Sequence, residues 1–395
     1  MRLYPLLLAA LLLGGCAQFD AVKDLASSVQ GLISGTDNAE PPAELTEMAN
    51  PKVKLTVLWD TSIGKGYDDK VVNLVPAVTA SAVYAAARRG EVRALNRQNG
   101  EKLWEVDTDL LLSSGPVVAG DKLLLGTSNA ELIALRAADG ALLWKAVLSS
   151  EVLALPQTQG NTVVIRTMDG RVSALDARTG GTRWSYERSV PPLSVRSLGS
   201  PAIAGDLVLD GFGGGKLLAL GLSDGKPAWE ATAAIPHGRS EIERLVEMDA
   251  DPLVKGDTVY VSGFQAGVAA VNLKDGEVLW RQQTVSTSHA MASDRKSLFL
   301  SDTSSDVWQL DLRTGADLWK QNELHQRRLT VPALIGNKLV VGDFEGYVHV
   351  LSAEDGSLLG RLQVEDEPIL APPVVYQDVI YVYTAGGTLA ALDLE

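Results

Sequence analysis

Residues 116–144 read PVVAGDKLLLGTSNAELIALRAADGALLW. Pro116-Val117-Val118 opens a short apolar run, Gly120-Asp121 breaks it, and Leu123-Leu124-Leu125 begins a second. Ser128-Asn129 turns the chain again before Leu132-Ile133-Ala134-Leu135, and Asp139-Gly140 separates that run from Leu142-Leu143-Trp144. Asp-Gly and related pairs supply the left-handed backbone that tight hairpins need. Runs of about five residues between such turns have the length of strands. The stretch predicts a four-stranded antiparallel meander.

The pattern recurs along the chain, which makes it an internal repeat. A glycine followed four residues later by tryptophan stands at Gly100/Trp104, Gly140/Trp144, Gly180/Trp184, Gly225/Trp229, Gly276/Trp280 and Gly315/Trp319, and a seventh copy, Gly356, has Gly360 in the tryptophan's place. Before each of these anchors, at one constant interval, lies Pro76, Pro116, Pro156, Pro201, Pro252, Met291 or Pro332. An eighth copy starts at Pro372, and the chain stops at Glu395 before its last strand. The missing strand is found at the other end, in Val53 to Trp59. Pairing it with the final blade closes a ring and covers an edge that would otherwise template aggregation. The expected fold is all-β: an eight-bladed β-propeller of four-stranded antiparallel blades, one domain over residues 51–395. A tryptophan repeated at one place on the fourth strand is expected to pack between blades, where an indole buries about 150–250 Å². Trp308 lies outside this register.

Composition narrows the function. With 46% hydrophobic and 21% charged residues the chain is globular. Its 35 basic against 49 acidic residues give a net charge of −14, which repels phosphate backbones and sets nucleic acid aside as a partner. A single cysteine excludes an intrachain disulfide and a cysteine-based zinc site. His237, His289, His325 and His349 belong to different repeats, without the paired spacing of a metal site. The glycine run Gly211-Phe212-Gly213-Gly214-Gly215 sits between two strands with no helix following, so it reads as a turn and not as a phosphate loop. The residues point to no cofactor, no metal and no catalytic group, and to a monomeric propeller that is not an enzyme.

The N-terminus adds an address. Arg2 precedes the apolar run Leu6 to Leu13, which is far short of the roughly 20 residues a spanning helix needs and reads as the core of a signal peptide over residues 1–15. Leu13-Gly14-Gly15-Cys16 resembles the lipobox of bacterial lipoproteins. That resemblance implies cleavage before Cys16 and three acyl chains on it, palmitate among them, enough for stable anchoring. Ala17 follows, in place of the Asp that often retains lipoproteins at the inner membrane, which points to the periplasmic face of the outer membrane. Residues 16–50 are expected to form the lipidated N-terminus and a flexible tether.

Two family resemblances follow. Ala174-Leu175-Asp176-Ala177-Arg178-Thr179-Gly180-Gly181-Thr182-Arg183-Trp184 is similar to the repeat of the quinoprotein dehydrogenases, as is the stretch from Leu310 to Trp319. This implies a periplasmic dehydrogenase using pyrroloquinoline quinone (PQQ) as the alternative function. Those enzymes usually carry a vicinal cysteine pair and a calcium held by clustered acidic and amide groups; here there is one cysteine, and carboxylates recur mainly in turns. Lipobox, tether and propeller together resemble, over the whole chain, the propeller lipoproteins of the outer-membrane β-barrel assembly machinery of Gram-negative bacteria. The resemblance implies a non-enzymatic scaffold that binds BamA periplasmic domains alongside other assembly-complex subunits and assists insertion of outer-membrane proteins. Unfolded outer-membrane protein clients are a further class of partner that the resemblance implies.

Spacing picks out a face. Most connections from one anchor to the next repeat take 11 to 13 residues, but Trp184 to Pro201 and Trp59 to Pro76 take 17 and Trp229 to Pro252 takes 23. In a meander the fourth-to-first connections share a face with the second-to-third turns, so the neighbouring long loops 185–200 and 230–251 stand side by side. Loops on a rigid scaffold commonly carry binding. Leu193-Ser194-Val195-Arg196 sets apolar groups beside an Arg, a residue enriched at interface hot spots. Glu241 to Asp249 offers acidic groups with apolar residues among them. In the assembly family the BamA-contacting positions are a Leu-x-Leu-Arg segment and an Asp-x-Asp, matched here by Leu193, Val195 and Arg196 and by Glu247 and Asp249. The resemblance implies that Arg196 meets a partner carboxylate, that Leu193 and Val195 fill the interface centre, and that Glu247 and Asp249 meet basic or N–H groups.

Overall fold

A computed structural model describes residues 40–188, 198–237 and 245–395. Its described residues form eight antiparallel sheets, and Ala43 to Glu395 make one compact unit. Blade 2 shows the repeat at full length, with strands Leu112–Ala119, Lys122–Thr127, Glu131–Arg136 and Leu142–Val147 hydrogen-bonded in sequence order. A two-residue strand, Asn73–Leu74, joins that sheet in parallel as a fifth member. The other seven sheets have four strands, as the spacing predicts. Second and third strands are almost wholly buried, because both their faces pack against sheets of neighbouring blades.

Blade 8 is composite. Its inner three strands are Val374–Tyr376, Val379–Tyr383 and Thr388–Leu394, and its outer strand is Leu55–Ser62 from the other end of the chain. Leu55 pairs with Leu394 and Ser62 with Thr388, and the backbones of Lys54 and Glu395 exchange two hydrogen bonds of 2.9 Å.

Each outer strand carries a bulge at the residue before the repeat tryptophan or its Gly360 equivalent. A bulge re-aims the next side chain. Here it turns Leu58, Leu103, Leu279 and Leu318 to solvent and the tryptophans towards the following blade. There each indole Nε1–H donates to a backbone carbonyl: Trp59 to Arg97, Trp104 to Ala137, Trp144 to Ala177, Trp184 to Leu222, Trp229 to Leu273, Trp280 to Leu312 and Trp319 to Ala353, at 2.8–3.3 Å. The ring then covers the glycine of that blade's last turn. A Cβ on Gly225 would lie 2.5 Å from the Trp184 ring, and its φ of +69° is one that L side chains rarely adopt. Gly and Trp are thus two halves of one inter-blade joint. Where Gly360 replaces the tryptophan, Val53 fills the space: a Cβ there would lie 2.6 Å from the Val53 carbonyl, and Lys52 and Val53 donate N–H to Leu359 O.

The segment expected to be tether makes contacts of its own before residue 51. Ala43 N–H donates to His325 O at 2.9 Å, Arg327 Nη1 donates to Ala43 O at 3.0 Å, and Arg361 reaches Thr46 O. Leu45 packs on the apolar cluster between blades 6 and 7. Arg327 is the reason: it is 2% exposed, bonded through Nε to Asp343 at 2.8 Å, and Ala43 satisfies another of its donors. Cys16 and the expected signal peptide lie outside the described residues.

Candidate functional site

The connection from blade 4 to blade 5 is built into the propeller over residues 245–251. The second and third strands of blade 4, Leu207–Phe212 and Lys216–Gly221, meet in the glycine-rich turn. Gly213 of that turn forms an antiparallel bridge with Glu247, and Gly214 N–H donates to Val246 O at 2.7 Å. On the blade 5 side Glu247 N–H donates to Phe264 O at 3.1 Å and Ala250 N–H to Ser262 O at 3.4 Å. The segment is threaded between the second-to-third turns of two blades. Two glycines admit it: a Cβ on Gly211 would stand 2.1 Å from Met248 O, and one on Gly263 1.8 Å from Glu247 O. The glycine run is a turn, as its sequence predicts, and also the seat of this loop.

Glu247 and Asp249 are 8% and 5% exposed. Asp249 Oδ1 already accepts the Phe264 N–H at 2.7 Å, so this carboxylate shapes the segment from within. Burial pushes its pKa up to about 6, against the pull of that N–H. Glu247 is different. Its Oε1 is buried without a hydrogen-bond partner, and burial and the Asp249 charge both raise its pKa. Of the two carboxylates expected to meet a partner, Asp249 is engaged within the segment, while Glu247 has an oxygen without a hydrogen bond.

The two long loops are fastened together at both ends. At their entry Arg188 Nη1 donates to Glu230 Oε2 at 2.7 Å. At their exit Ser200 N–H donates to Asp251 Oδ1 at 2.6 Å, and Ser200 Oγ accepts the Leu155 N–H at 2.9 Å. No motif marks Arg188, Ser200 or Asp251 in the sequence; what singles them out is their place at the ends of the lengthened loops. Leu193, Val195 and Arg196 lie outside the described residues. Val71, Leu111, Ile235 and Leu370, each in a fourth-to-first connection, leave 44–60% of their surface in solvent on this face.

The dehydrogenase alternative calls for a different centre. Among the described residues, no group of three or more His, Cys, Asp or Glu could hold a metal ion. Turn carboxylates serve the turns: Asp176 Oδ1 accepts from Arg178 N–H at 2.9 Å and Asp311 Oδ1 from Thr314 N–H at 2.8 Å. His325 Nδ1 and His349 Nε2 each bond a carboxylate, Asp306 and Asp343, inside their own blades.

Known proteins agree on the kind of molecule. The profile of a family described as outer membrane protein assembly factor BamB matches residues 88–321 and 313–395. The outer membrane protein assembly factor BamB of Pseudomonas aeruginosa is 47% identical over 375 residues, 95% of this chain and 98% of that protein. The crystal structure of BamB from Moraxella catarrhalis superposes with a TM-score of 0.76 at 26% identity, covering 86% of this chain and all of that one. The quinohemoprotein alcohol dehydrogenase of Comamonas testosteroni superposes with a TM-score of 0.69 at 13% identity, covering 86% of this chain and 76% of the enzyme. At that identity the likeness shows the propeller alone.

Proposed function

The chain belongs to the BamB family of outer membrane protein assembly factors, and on that premise we propose that it is a non-enzymatic scaffold, held at the periplasmic face of the outer membrane by acyl chains on Cys16, that binds the periplasmic domains of BamA. Its partner surface is the pair of loops 185–200 and 230–251. Leu193 and Val195 supply apolar contact, Arg196 pairs with a carboxylate of BamA, and Glu247 accepts a basic or N–H group, with Asp249 holding the segment behind it. The observation that carries this reading is the seating of residues 245–251 between two blades, held by backbone bonds to Gly214, Phe264 and Ser262. A preformed segment loses little freedom on binding.

The test is capture of the BamA periplasmic domain by the mature protein. Leu193→Ala with Arg196→Ala should weaken capture by a factor of about 100 or more while the melting temperature stays put, since hot-spot truncations cost about 2 kcal/mol or more each. Undiminished capture, with loss instead on substituting Asp139 and Asp224 in the turns of the opposite face, overturns the choice of face. For the anchor, Cys16→Ala should release the protein from the outer-membrane fraction; unchanged mass and fractionation would refute it.

A further inference from the structure

The repeat makes its own exceptions visible. In seven blades the fourth residue of the second strand is apolar, as at Leu125, Val261 and Val341; in blade 4 it is Asp210, paired across the strand with Leu218. The next residue is uncharged in seven blades, as at Gly126, Ser262 and Gly342; in blade 3 it is Arg166, paired with Val172. These two departures from the pattern meet in space. Arg166 Nη1 lies 3.2 Å from Asp210 Oδ1 and donates to Gly211 O at 2.8 Å, and its guanidinium carbon stands 5.4 Å from the Phe212 ring centre. The Arg188 guanidinium carbon stands at the same distance from that ring. Gly211 is the residue whose missing Cβ admits Met248.

We propose that Arg166 is a positioning residue for the partner segment: reaching from blade 3 onto blade 4, its charge holds residues 245–251 in their seat by compensating four inward carboxylates, Asp210, Glu247, Asp249 and Asp251. Calling the segment partner-facing rests on the function proposed above. The need for compensation is plain in the geometry. Asp210 is 1% exposed, and its Oδ2, like Glu247 Oε1, is buried without a hydrogen-bond partner. Two of the four groups therefore depend on field and not on full hydrogen bonding. Arg166 acts on all four, favouring ionisation of each against burial, and Asp251 is disfavoured in turn by the Asp210 charge. Remove Arg166 and Asp210 on the blade repels Asp251 on the loop, while Asp249 repels Glu247 within it. An apolar residue in its place would keep the strand and lose the segment.

The experiment uses the mature protein with Arg166→Met and Arg166→Lys. Hydrogen exchange over residues 245–251 is compared with the parent at the same pH, and BamA capture is measured in parallel. At pH 7.5, Arg166→Met should speed exchange in the segment about tenfold or more and weaken capture to a similar extent, as loss of a partner to buried charge does. Near pH 5, Asp210, Asp249 and Asp251, which burial pushes up to about 6, take up protons, and the excess over the parent should shrink severalfold. Arg166→Lys keeps the charge but loses the planar guanidinium over Phe212, and its exchange should fall between the parent's and that of Arg166→Met. Exchange in Arg166→Met equal to the parent's, an excess of the same size at both pH values, or a lysine variant as loose as the methionine one overturns the proposal. If exchange rises and falls with pH as stated while capture is unchanged, the positioning role stands and the partner reading falls.

Discussion

Trp59 and Gly100 join the first strand of the chain to blade 1: the indole covers the glycine, whose Cβ would lie 2.7 Å from the ring, and Nε1–H donates to Arg97 O at 3.1 Å. The joint is the same one that Trp319 makes with Gly356 between blades 6 and 7. Here it fastens a strand that is distant in sequence from the rest of its blade. Trp59 is 8% exposed and also packs on Tyr381, ring centres 6.0 Å apart.

Trp59→Ala should therefore destabilise the propeller by about 3–5 kcal/mol, the range for emptying a large buried aromatic site. Deleting residues 51–60 removes the whole closing strand and should cost more. Denaturant unfolding monitored by far-UV circular dichroism reads both. A deletion that unfolds at the parent's midpoint would show that Leu55–Ser62 does not close the ring.

Truncation separates tether from fold. Removing residues through Pro42 keeps whole the compact unit that starts at Ala43. Removing them through Asn50 strips Ala43 O from the buried Arg327 and Leu45 from its cluster. An unsatisfied buried donor costs about 1–3 kcal/mol, so the second truncation should melt lower than the first. Equal melting temperatures would show that residues 43–50 add nothing to the fold.

The carboxylates under the long loops predict a pH effect of definite sign. Burial pushes Asp251 up to about 6, with Ser200 N–H opposing and Asp210 reinforcing the shift. Between the ordinary carboxylate pKa and about 6 the folded state binds a proton that the unfolded state has released. Stability from this group therefore grows as pH falls through 6 and is lost above it. Asp251→Asn keeps an acceptor for Ser200 and removes the charge. It should raise the melting temperature at pH 7.5, and that advantage should fade towards pH 4.5. A variant no more stable than the parent at pH 7.5 would contradict the assigned direction.

The propeller was legible in the sequence because its signals are local and repeated. Asp139-Gly140 marks a turn wherever it stands, and seven copies fix the period. Closure was legible too, since the eighth copy, from Pro372, shows three strands and the apolar run from Val53 to Trp59 supplies a fourth. The seat of residues 245–251 was not, because it depends on the absence of a Cβ at Gly211 and Gly263, and many other glycines serve ordinary turns. The docking of Ala43 on Arg327 was hidden for a similar reason: a backbone carbonyl has no sequence signature. Asp210 had a signal, a carboxylate where the repeat wants an apolar residue, but only strand register makes that misfit visible.

Blade 8 sets an order on folding. Lys54 and Glu395 are bonded to each other at opposite ends of the chain, so the contact that closes the ring spans nearly every residue in between. Such long-range contacts are slow to form. During synthesis, which runs from the N-terminus, seven blades emerge while Leu55–Ser62 waits for its partner, Thr388–Leu394. A chain cut short anywhere before Thr388 leaves that strand unpaired and Trp59 without its blade. Once Leu55–Ser62 is paired with Thr388–Leu394 the strand is covered, so a protease that takes loose strand ends would clear the unfinished molecules and spare the whole ones.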